Sequence, residues 1–439
     1  MNIRTVIKKI IPAKIFWQIE PTGHLVEAFL TNLIYGFPLR NLKVIGVTGT
    51  NGKTTTTLLI HQMLNEAGFK VGFMSTIGYG YKDEFINQEH HMTSVSTKEM
   101  IQRINKMKKQ GIEWLVLETT SHALAQHRVY GVPYSIAVFT NLTHEHLAYH
   151  HTFERYRQAK VKLFSQTNSN KRGLQVGITN QDDPNSPYFT RKIKHNLSYG
   201  IESGDLKATK INLGQDSVQF ETQYKNQTYK IKCNIPGSFN VYNSLAATAV
   251  GIVLKLQPQQ IEQGINRLKF VEGRMNRIDQ SQKFTVIVDY AHSPDSFEKL
   301  FKDIKPTVKG KLIVLFGSLG GGDKDKRPLQ GELAGQFADY IYICEEDDRS
   351  ENPEQIMTDI AEGIKRTGKQ LNKDYFLIHD RPTAIKTALQ KASDDDVVLL
   401  LGKGHEKTIE HADGEHPWNE TEVTIQALNE LGYRKQSTL

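Results

Sequence analysis

Cysteine is nearly absent. The 439 residues hold two, Cys233 and Cys344, with no CxxC pair, which excludes a disulfide-stapled scaffold and suits a reducing cytoplasm. Long apolar runs are missing too, and the longest fall well short of the roughly 20 residues that span a bilayer. Blocks of basic residues are also absent. Lysine and arginine are scattered, and the formal net charge of +7 is a mild excess. That balance suits acidic small-molecule substrates and argues against a nucleic-acid partner. No internal repeat or low-complexity segment occurs. What is present, 38% hydrophobic and 23% charged residues, is the make-up of an ordinary globular protein.

Residues 1–42 are basic and apolar, but Pro12, Glu20 and Glu27 interrupt them. They show no long apolar core and no small-residue cleavage site, so a signal peptide is not expected. They read as one or two amphipathic helices packed on the next domain. The alternative is a surface that touches membrane or a lipid-linked substrate.

Beyond residue 42, short apolar runs rich in β-branched residues alternate with helical stretches: KVIGV, WLVLE, YSIAVFTN, FTVIVDY, KLIVLFG, YIYIC and VVLLLG. Each run ends in polar or glycine residues. The pattern predicts an α/β fold with parallel sheets and crossover helices. After the short helical segment 1–42 we expect a P-loop central domain over residues 43–275 and a C-terminal Rossmann-like α/β domain over 276–439. Between 196 and 232 polar and apolar residues alternate, which predicts an antiparallel insertion.

The stretch VIGVTGTNGKTTT, Val44–Thr56, spaces Gly46, Gly49 and Gly52 three apart and follows them with Lys53 and Thr54. It lies between a strand and a helix predicted from Lys53 to about Ala67, the setting a phosphate loop requires. Glycines let backbone N–H groups approach oxygen anions, and the helix N-terminus adds a favourable dipole. Lys53 reaches the outer phosphates, and Thr54 or Thr55 can ligate Mg²⁺. The first glycine stands one position early for the strict GxxxxGK[ST] pattern.

Glu118 closes an apolar strand, where a carboxylate can meet the Mg²⁺ of a nucleotide; the alternative is a buried glutamate paired to a cation. His144-Glu145-His146 invites a zinc reading, but no cysteine is near and the spacing matches no zinc pattern. Lys160 shares a helix with Arg155, Arg157 and Lys162, and the default for such a run is a solvated face. Asn240 could simply cap a helix.

Eight segments in order resemble the Mur ligases, the ATP-dependent amide-forming enzymes of peptidoglycan synthesis. They are GVTGTNGKTTT, LETTSHAL, FTNLTHEHLAYHHTFERYRQAKVKLF, PGSFNVYNSLAA, EGRMNRI, DYAHSPDS, FGSLGGGDKDKRP and GKGHEK. Together they cover nearly everything from residue 43 onward. The likeness is strongest to the branch that adds a diamino acid, meso-diaminopimelate or L-lysine, to UDP-MurNAc-L-Ala-D-Glu through an acyl phosphate.

The resemblance implies ATP and Mg²⁺. It places the nucleotide on Gly49, Thr50, Asn51, Gly52, Lys53, Thr54 and Thr55, with Asn240, Asn243, Arg274, Asp289 and His292. It makes Lys53, Glu118, His146 and Lys160 the catalytic set, and Thr54, Glu118, His146 and Lys160 the metal set. Lys160 matches the lysine carbamylated by CO₂ in the family, and Glu145 stands where the family usually has aspartate. Thr93, Ser94, Thr120, Gln126 and Arg128 would touch the muramoyl peptide. Arg327, Asp347, Arg349, Gly402 and Glu406 would meet the incoming amino acid.

Two departures qualify the resemblance. Glu346-Asp347-Asp348-Arg349 replaces the family's Asp-Asn-Pro-Arg. The arginine is kept, which fits a second carboxylate, but the added acids leave diaminopimelate, lysine and another diamino acid open, and the loop could be merely solvated. The family also carries a whole uridine-gripping domain before the phosphate loop, and residues 1–42 are too few to form it. Either UDP is held weakly or the acceptor is of another kind: a lipid-linked muropeptide, or one of folylpolyglutamate or cyanophycin type. A nucleotide-binding module without ligase activity is the competing class; the intact Glu118, His146, Lys160 and Arg327 argue against it. A cytoplasmic monomer is expected, taking ATP, an amino acid and a muramoyl-peptide precursor.

Overall fold

A computed structural model describes residues 13–88 and 93–435. Residues 1–12, part of the basic apolar segment, lie outside it. Eleven strands make the first sheet: β1 (Lys43–Thr48), β2 (Val71–Met74), β3 (Gly78–Tyr81), β4 (Glu84–Asn87), β5 (Trp114–Glu118), β6 (Tyr134–Phe139), β7 (Val176–Asn180), β8 (His195–Gly200), β9 (Leu206–Leu213), β10 (Val218–Tyr224) and β11 (Gln227–Cys233). Their order in space is β11-β10-β9-β8-β7-β6-β1-β5-β2-β3-β4. The central run from β2 to β9 is parallel. Antiparallel hairpins finish both edges. The alternating segment turns antiparallel over β9–β11, as its pattern predicts, while its first part, β8, still belongs to the parallel run and pairs with β9 in parallel.

The central strands are buried on both faces, which is why they read as unbroken apolar runs. Ile45, Val47, Val116 and Val138 point into one core with Leu59, Met63, Leu245 and Val250. Val44, Leu115, Ala137 and Phe139 point into the opposite core with Ile104, Leu124 and Phe164. Gly46 sits within β1, where an added Cβ would lie 2.7 Å from the Tyr134 ring and 2.8 Å from Leu163 Cδ1. The first glycine of the triad thus serves strand packing, and only Gly49 and Gly52 belong to the loop.

The second sheet holds β12 (Asn276–Ile278), β13 (Thr285–Asp289), β14 (Leu312–Phe316), β15 (Tyr340–Ile343), β16 (Tyr375–Leu377) and β17 (Val397–Leu401). Its order is β12-β13-β17-β14-β15-β16. All neighbours are parallel except β12 with β13. The carboxyl ends of the parallel strands therefore open on one edge, beside a hairpin of β18 (Thr408–His411) and β19 (Gly414–Pro417).

Helix Ala13–Ile34 docks through buried Asn32, whose amide donates to Tyr130 O at 3.1 Å. Its other side leaves Val26, Leu30, Leu33 and Ile34 exposed. No helix among the described residues is long and apolar enough to cross a membrane.

His61, on helix Lys53–Glu66, is buried against Phe73 with ring centroids 4.6 Å apart. Burial pushes its pKa from 6.5 down to about 4. The folded imidazole stays neutral where the unfolded one gains a proton. Stability is therefore full above pH 6.5 and falls as the pH drops through that window toward 4, by about 3 kcal/mol. Thermal melts across this range should show a slope to which the other buried histidines add, and His61→Leu should make it shallower; equal slopes would remove His61 as a contributor.

Candidate active site

The phosphate loop is braced from behind. Thr50 N donates to Asn141 O at 2.8 Å, Asn51 N to Asn141 Oδ1 at 2.9 Å, and Thr140 Oγ1 to Asn51 O at 2.7 Å. Helix Lys53–Glu66 starts at Gly52 without a side-chain cap, which leaves its first N–H groups to an anion. Lys53 Nζ donates to Thr50 O at 2.6 Å, so the ammonium is folded over the loop.

Glu118, at the end of β5, is 2% exposed. Its Oε2 accepts from Thr54 Oγ1 at 3.0 Å and from Thr76 N at 2.9 Å, and its Oε1 from Thr76 Oγ1 at 2.9 Å. No cation pairs with it among the described residues, so the buried Glu-cation alternative is not what the fold builds. A buried carboxylate beside threonine hydroxyls is a hard-oxygen set, and it fits Mg²⁺. Thr76 carries no motif in the sequence; it reaches the site because β2 lies next to β5.

Lys160 is not on a solvated face. It is 1% exposed, and its Nζ donates to Gly49 O at 2.5 Å, under the loop. Burial, then Lys53, holds its pKa well below the usual lysine range. Burial and the mutual repulsion of nearby cations likewise push His122 down to about 3 and His150 down to about 4. His146 is brought to about 4 by burial, against the pull of Glu145. The imidazoles are thus neutral near pH 7, the form that binds metal. His144 turns away, its ring against Phe153 at 4.6 Å.

Two contacts join the sheets across the site. Glu145 Oε1 meets His292 Nε2 at 3.2 Å, and Asn51 Nδ2 donates to Asp295 Oδ2 at 2.9 Å. Burial raises the Glu145 pKa, but His146, His292 and Lys53 together hold it below the ordinary range. The residue standing in the aspartate position therefore acts here as a charged bridge. Neither contact had a sequence signal beyond the blocks that contain its members.

Both halves line one cavity of about 840 Å³. Thr50 through Thr55, Glu118 and His146 lie on its wall, as do Asn240, Asn243, Arg274, Asp289 and His292. Asn240 does not cap its helix: its amide donates to Pro236 O at 2.7 Å while its Oδ1 accepts from Asn243 at 2.8 Å, aiming Asn243 at the loop. Asp289 accepts from Met275 N at 2.7 Å and Ala291 N at 2.8 Å, tying β13 to the segment that carries Arg274.

Thr93, Ser94, Thr120 and Arg128 share the cavity. Ser94 and Thr120 hydroxyls are 2.9 Å apart, and Arg128 donates to Ser94 O at 2.6 Å. Gln126 is off the cavity wall and receives a hydrogen bond from Arg128, so it orients that arginine.

The positions expected at the incoming amino acid cluster at the edge of the second sheet, and they are unequal. Arg327 is fully buried and engaged by Glu351 at 2.9 Å, Asp359 at 2.8 Å and Leu319 O at 3.1 Å. Arg349 is 40% exposed and gives Nε to Glu410 at 2.9 Å, so it is the less committed of the two. Asp347 pairs with Lys403 at 2.7 Å, and Lys403 also reaches Glu406 at 2.5 Å. Gly402 lets the chain pass Glu346: a Cβ there would be 2.5 Å from Oε2, an atom buried with no hydrogen-bond partner among the described residues.

Residues 47–251 match the Mur ligase middle domain, and 273–404 match the Mur ligase glutamate ligase domain. A UDP-N-acetylmuramyl-tripeptide synthetase of Roseiflexus sp. is 36% identical over 425 residues, covering 94% of this chain and 84% of that protein. The UDP-N-acetylmuramoyl-L-alanyl-D-glutamate–2,6-diaminopimelate ligase 1 of Clostridium acetobutylicum is 36% identical over 412 residues, covering 93% and 83%. A solved structure of a UDP-N-acetylmuramoyl-L-alanyl-D-glutamate–2,6-diaminopimelate ligase aligns with a TM-score of 0.62 at 29% identity, over 91% of this chain and 81% of that one. Mycobacterium tuberculosis folylpolyglutamate synthase complexed with ADP shares the fold, with a TM-score of 0.69 at 14% identity, over 87% and 92%.

Proposed function

The chain belongs to the Mur ligase family of ATP-dependent acid–amino-acid ligases, and from that premise we propose that it joins a diamino acid to UDP-MurNAc-L-Ala-D-Glu. The observation that carries this reading is the single cavity on which Lys53, Glu118 and His146 of one sheet face Arg274 and His292 of the other.

Lys53 and the first N–H groups of its helix hold the outer phosphates of ATP and stabilise the charge of the transferred phosphoryl group. Mg²⁺, when bound, would be held by Thr54 and Glu118, with His146 and carbamylated Lys160 for a second ion, and would neutralise the phosphates. Arg128, with Ser94 and Thr120 beside it, positions the acceptor. The D-Glu carboxylate oxygen takes the γ-phosphoryl group and ADP leaves. The amine of the diamino acid, held near Arg349, attacks the acyl carbon, gives up a proton, and phosphate leaves with the electron pair of the C–O bond. The Glu145–His292 and Asn51–Asp295 contacts keep the halves together and water out.

Purified protein given ATP, UDP-MurNAc-L-Ala-D-Glu and single amino acids should release phosphate with one diamino acid and add its mass to the acceptor. Silence with every amino acid would discard this acceptor and favour another carrier on the muramoyl peptide. The buried, weakly basic Lys160 amine is suited to attack CO₂, forming a carbamate and releasing a proton. Protein equilibrated with ¹³C-bicarbonate should show a carbamate carbon signal that Lys160→Ala loses; the same signal in both would place it elsewhere.

A further inference from the structure

Four side chains converge at the edge of the second sheet, off the wall of the nucleotide cavity. Glu345 and Asp348 follow β15, His379 follows β16, and His411 ends β18. Nε2 of His379 lies 2.9 Å from Asp348 Oδ2 and 3.8 Å from Glu345 Oε2. His411 puts Nε2 3.6 Å from the same Glu345 oxygen and Nδ1 4.0 Å from the same Asp348 oxygen. Ligand atoms of Glu345, Asp348 and His379 all fall within 4.8 Å of one another. We propose that Glu345, Asp348 and His379, with the His411 ring beside them, form a binding site for a zinc-class divalent cation.

Tetrahedral bonds of about 2.0–2.2 Å set ligand atoms about 3.3–3.6 Å apart, and the separations of His379 Nε2 from the two acids, 2.9 Å and 3.8 Å, bracket that spacing; His411 faces the acids with different ring nitrogens and would turn to bring one of them onto the ion. Both carboxylates are buried, and among the described residues neither pairs with a lysine or arginine side chain. The cations nearby are committed: Lys403 to Asp347, Arg349 to Glu410, and Arg381 to Glu420. The backbone holds the ligands in place beforehand. Glu345 N donates to His379 O at 3.0 Å, extending the β15–β16 register, and Arg349 N donates to Glu410 O at 3.0 Å, setting Asp348 beside His411. The remaining Glu345 oxygen, Oε1, accepts from Arg381 N at 3.1 Å, an outer-shell bond that orients a ligand. His379 is 45% exposed and His411 31%, which gives an ion a path in. An imidazole and two carboxylates, with a second imidazole within reach, suit zinc or cobalt rather than Mg²⁺ or Ca²⁺. A bound ion would pin the Glu345–Arg349 loop and the β18–β19 hairpin to the sheet.

Cobalt(II) titrated into the whole protein under excess Mg²⁺ should give the intense visible absorption of a four-coordinate centre, bleached by Zn²⁺. Zn²⁺ should raise the thermal midpoint. The histidines beside the phosphate loop are the other place cobalt could bind. His379→Ala/His411→Ala should therefore lose the band and the midpoint shift, while His122→Ala, which breaks up the histidines beside the loop, keeps both. A parent protein without the four-coordinate spectrum, or a double variant that retains it, would overturn the site and leave the imidazoles as ion-pair partners of the two acids. If the double variant does not fold, His379→Ala alone serves: it should lose the band, and a retained band would overturn the site.

Discussion

Lys53→Ala is expected to lower turnover on the order of 10³-fold while KM for the amino acid and the thermal midpoint stay nearly unchanged. The reason is geometric. The ammonium folds onto Thr50 O at 2.6 Å, at the start of a helix whose first N–H groups are uncapped. It is in place before phosphate arrives, and among the described residues it forms no ion pair; Glu145, which feels its charge, keeps His146 and His292. Its loss removes charge stabilisation from the phosphoryl-transfer transition state, worth about 3–4 kcal/mol for one well-placed donor. It removes little from the folded state, where it makes a single partly exposed bond. Steady-state kinetics with saturating acceptor check this. A fall of less than about tenfold would move the phosphoryl-transfer step away from this loop.

The largest loss of stability is expected from Arg381→Ala, about 3–5 kcal/mol. Arg381 and Glu420 are both fully buried, joined at 2.6 Å and 2.9 Å. The guanidinium also donates to Glu345 O at 3.0 Å and Leu401 O at 2.7 Å, stitching the ends of β15 and β17 to the C-terminal helix. Removing it strands the Glu420 carboxylate, whose other side-chain partner is the indole N–H of Trp418 at 2.9 Å. Arg381→Met with Glu420→Leu should be milder than the single change, because no buried charge is then left alone. Chemical denaturation of the three proteins gives the order; a double variant less stable than Arg381→Ala would show that the backbone bonds, not the stranded charge, dominate.

Parts of the site were legible because their chemistry is local. The loop from Gly49 to Thr55 is contiguous, and its strand-to-helix setting is visible in the change of apolar period. Glu118 could be picked out because it ends an unbroken apolar strand. Other parts were not. Lys160 lies among charged neighbours on its helix, and only the helix's rotation against β1 and β6 buries it under Gly49. Arg327 has the look of a substrate-binding arginine, yet Glu351 and Asp359, from the next loop and helix, enclose it. Thr76 sits in a segment with no motif and joins the site through strand order; Asp295 sits in a motif block, but its contact with Asn51 comes only from packing between the sheets.

The sequence by itself determined the α/β class, the phosphate loop and the family, because periodicity and contiguous motifs depend on neighbours a few residues apart. Tertiary structure alone decided which polar groups are buried, which charges meet, and which are already paired. It turned Glu145 toward His292, buried Arg327 against Glu351 and Asp359, and drew Glu345, Asp348, His379 and His411 together. Desolvation and Coulomb attraction depend on distance in space, and the order of strands in the sheets sets those distances between residues far apart in the chain.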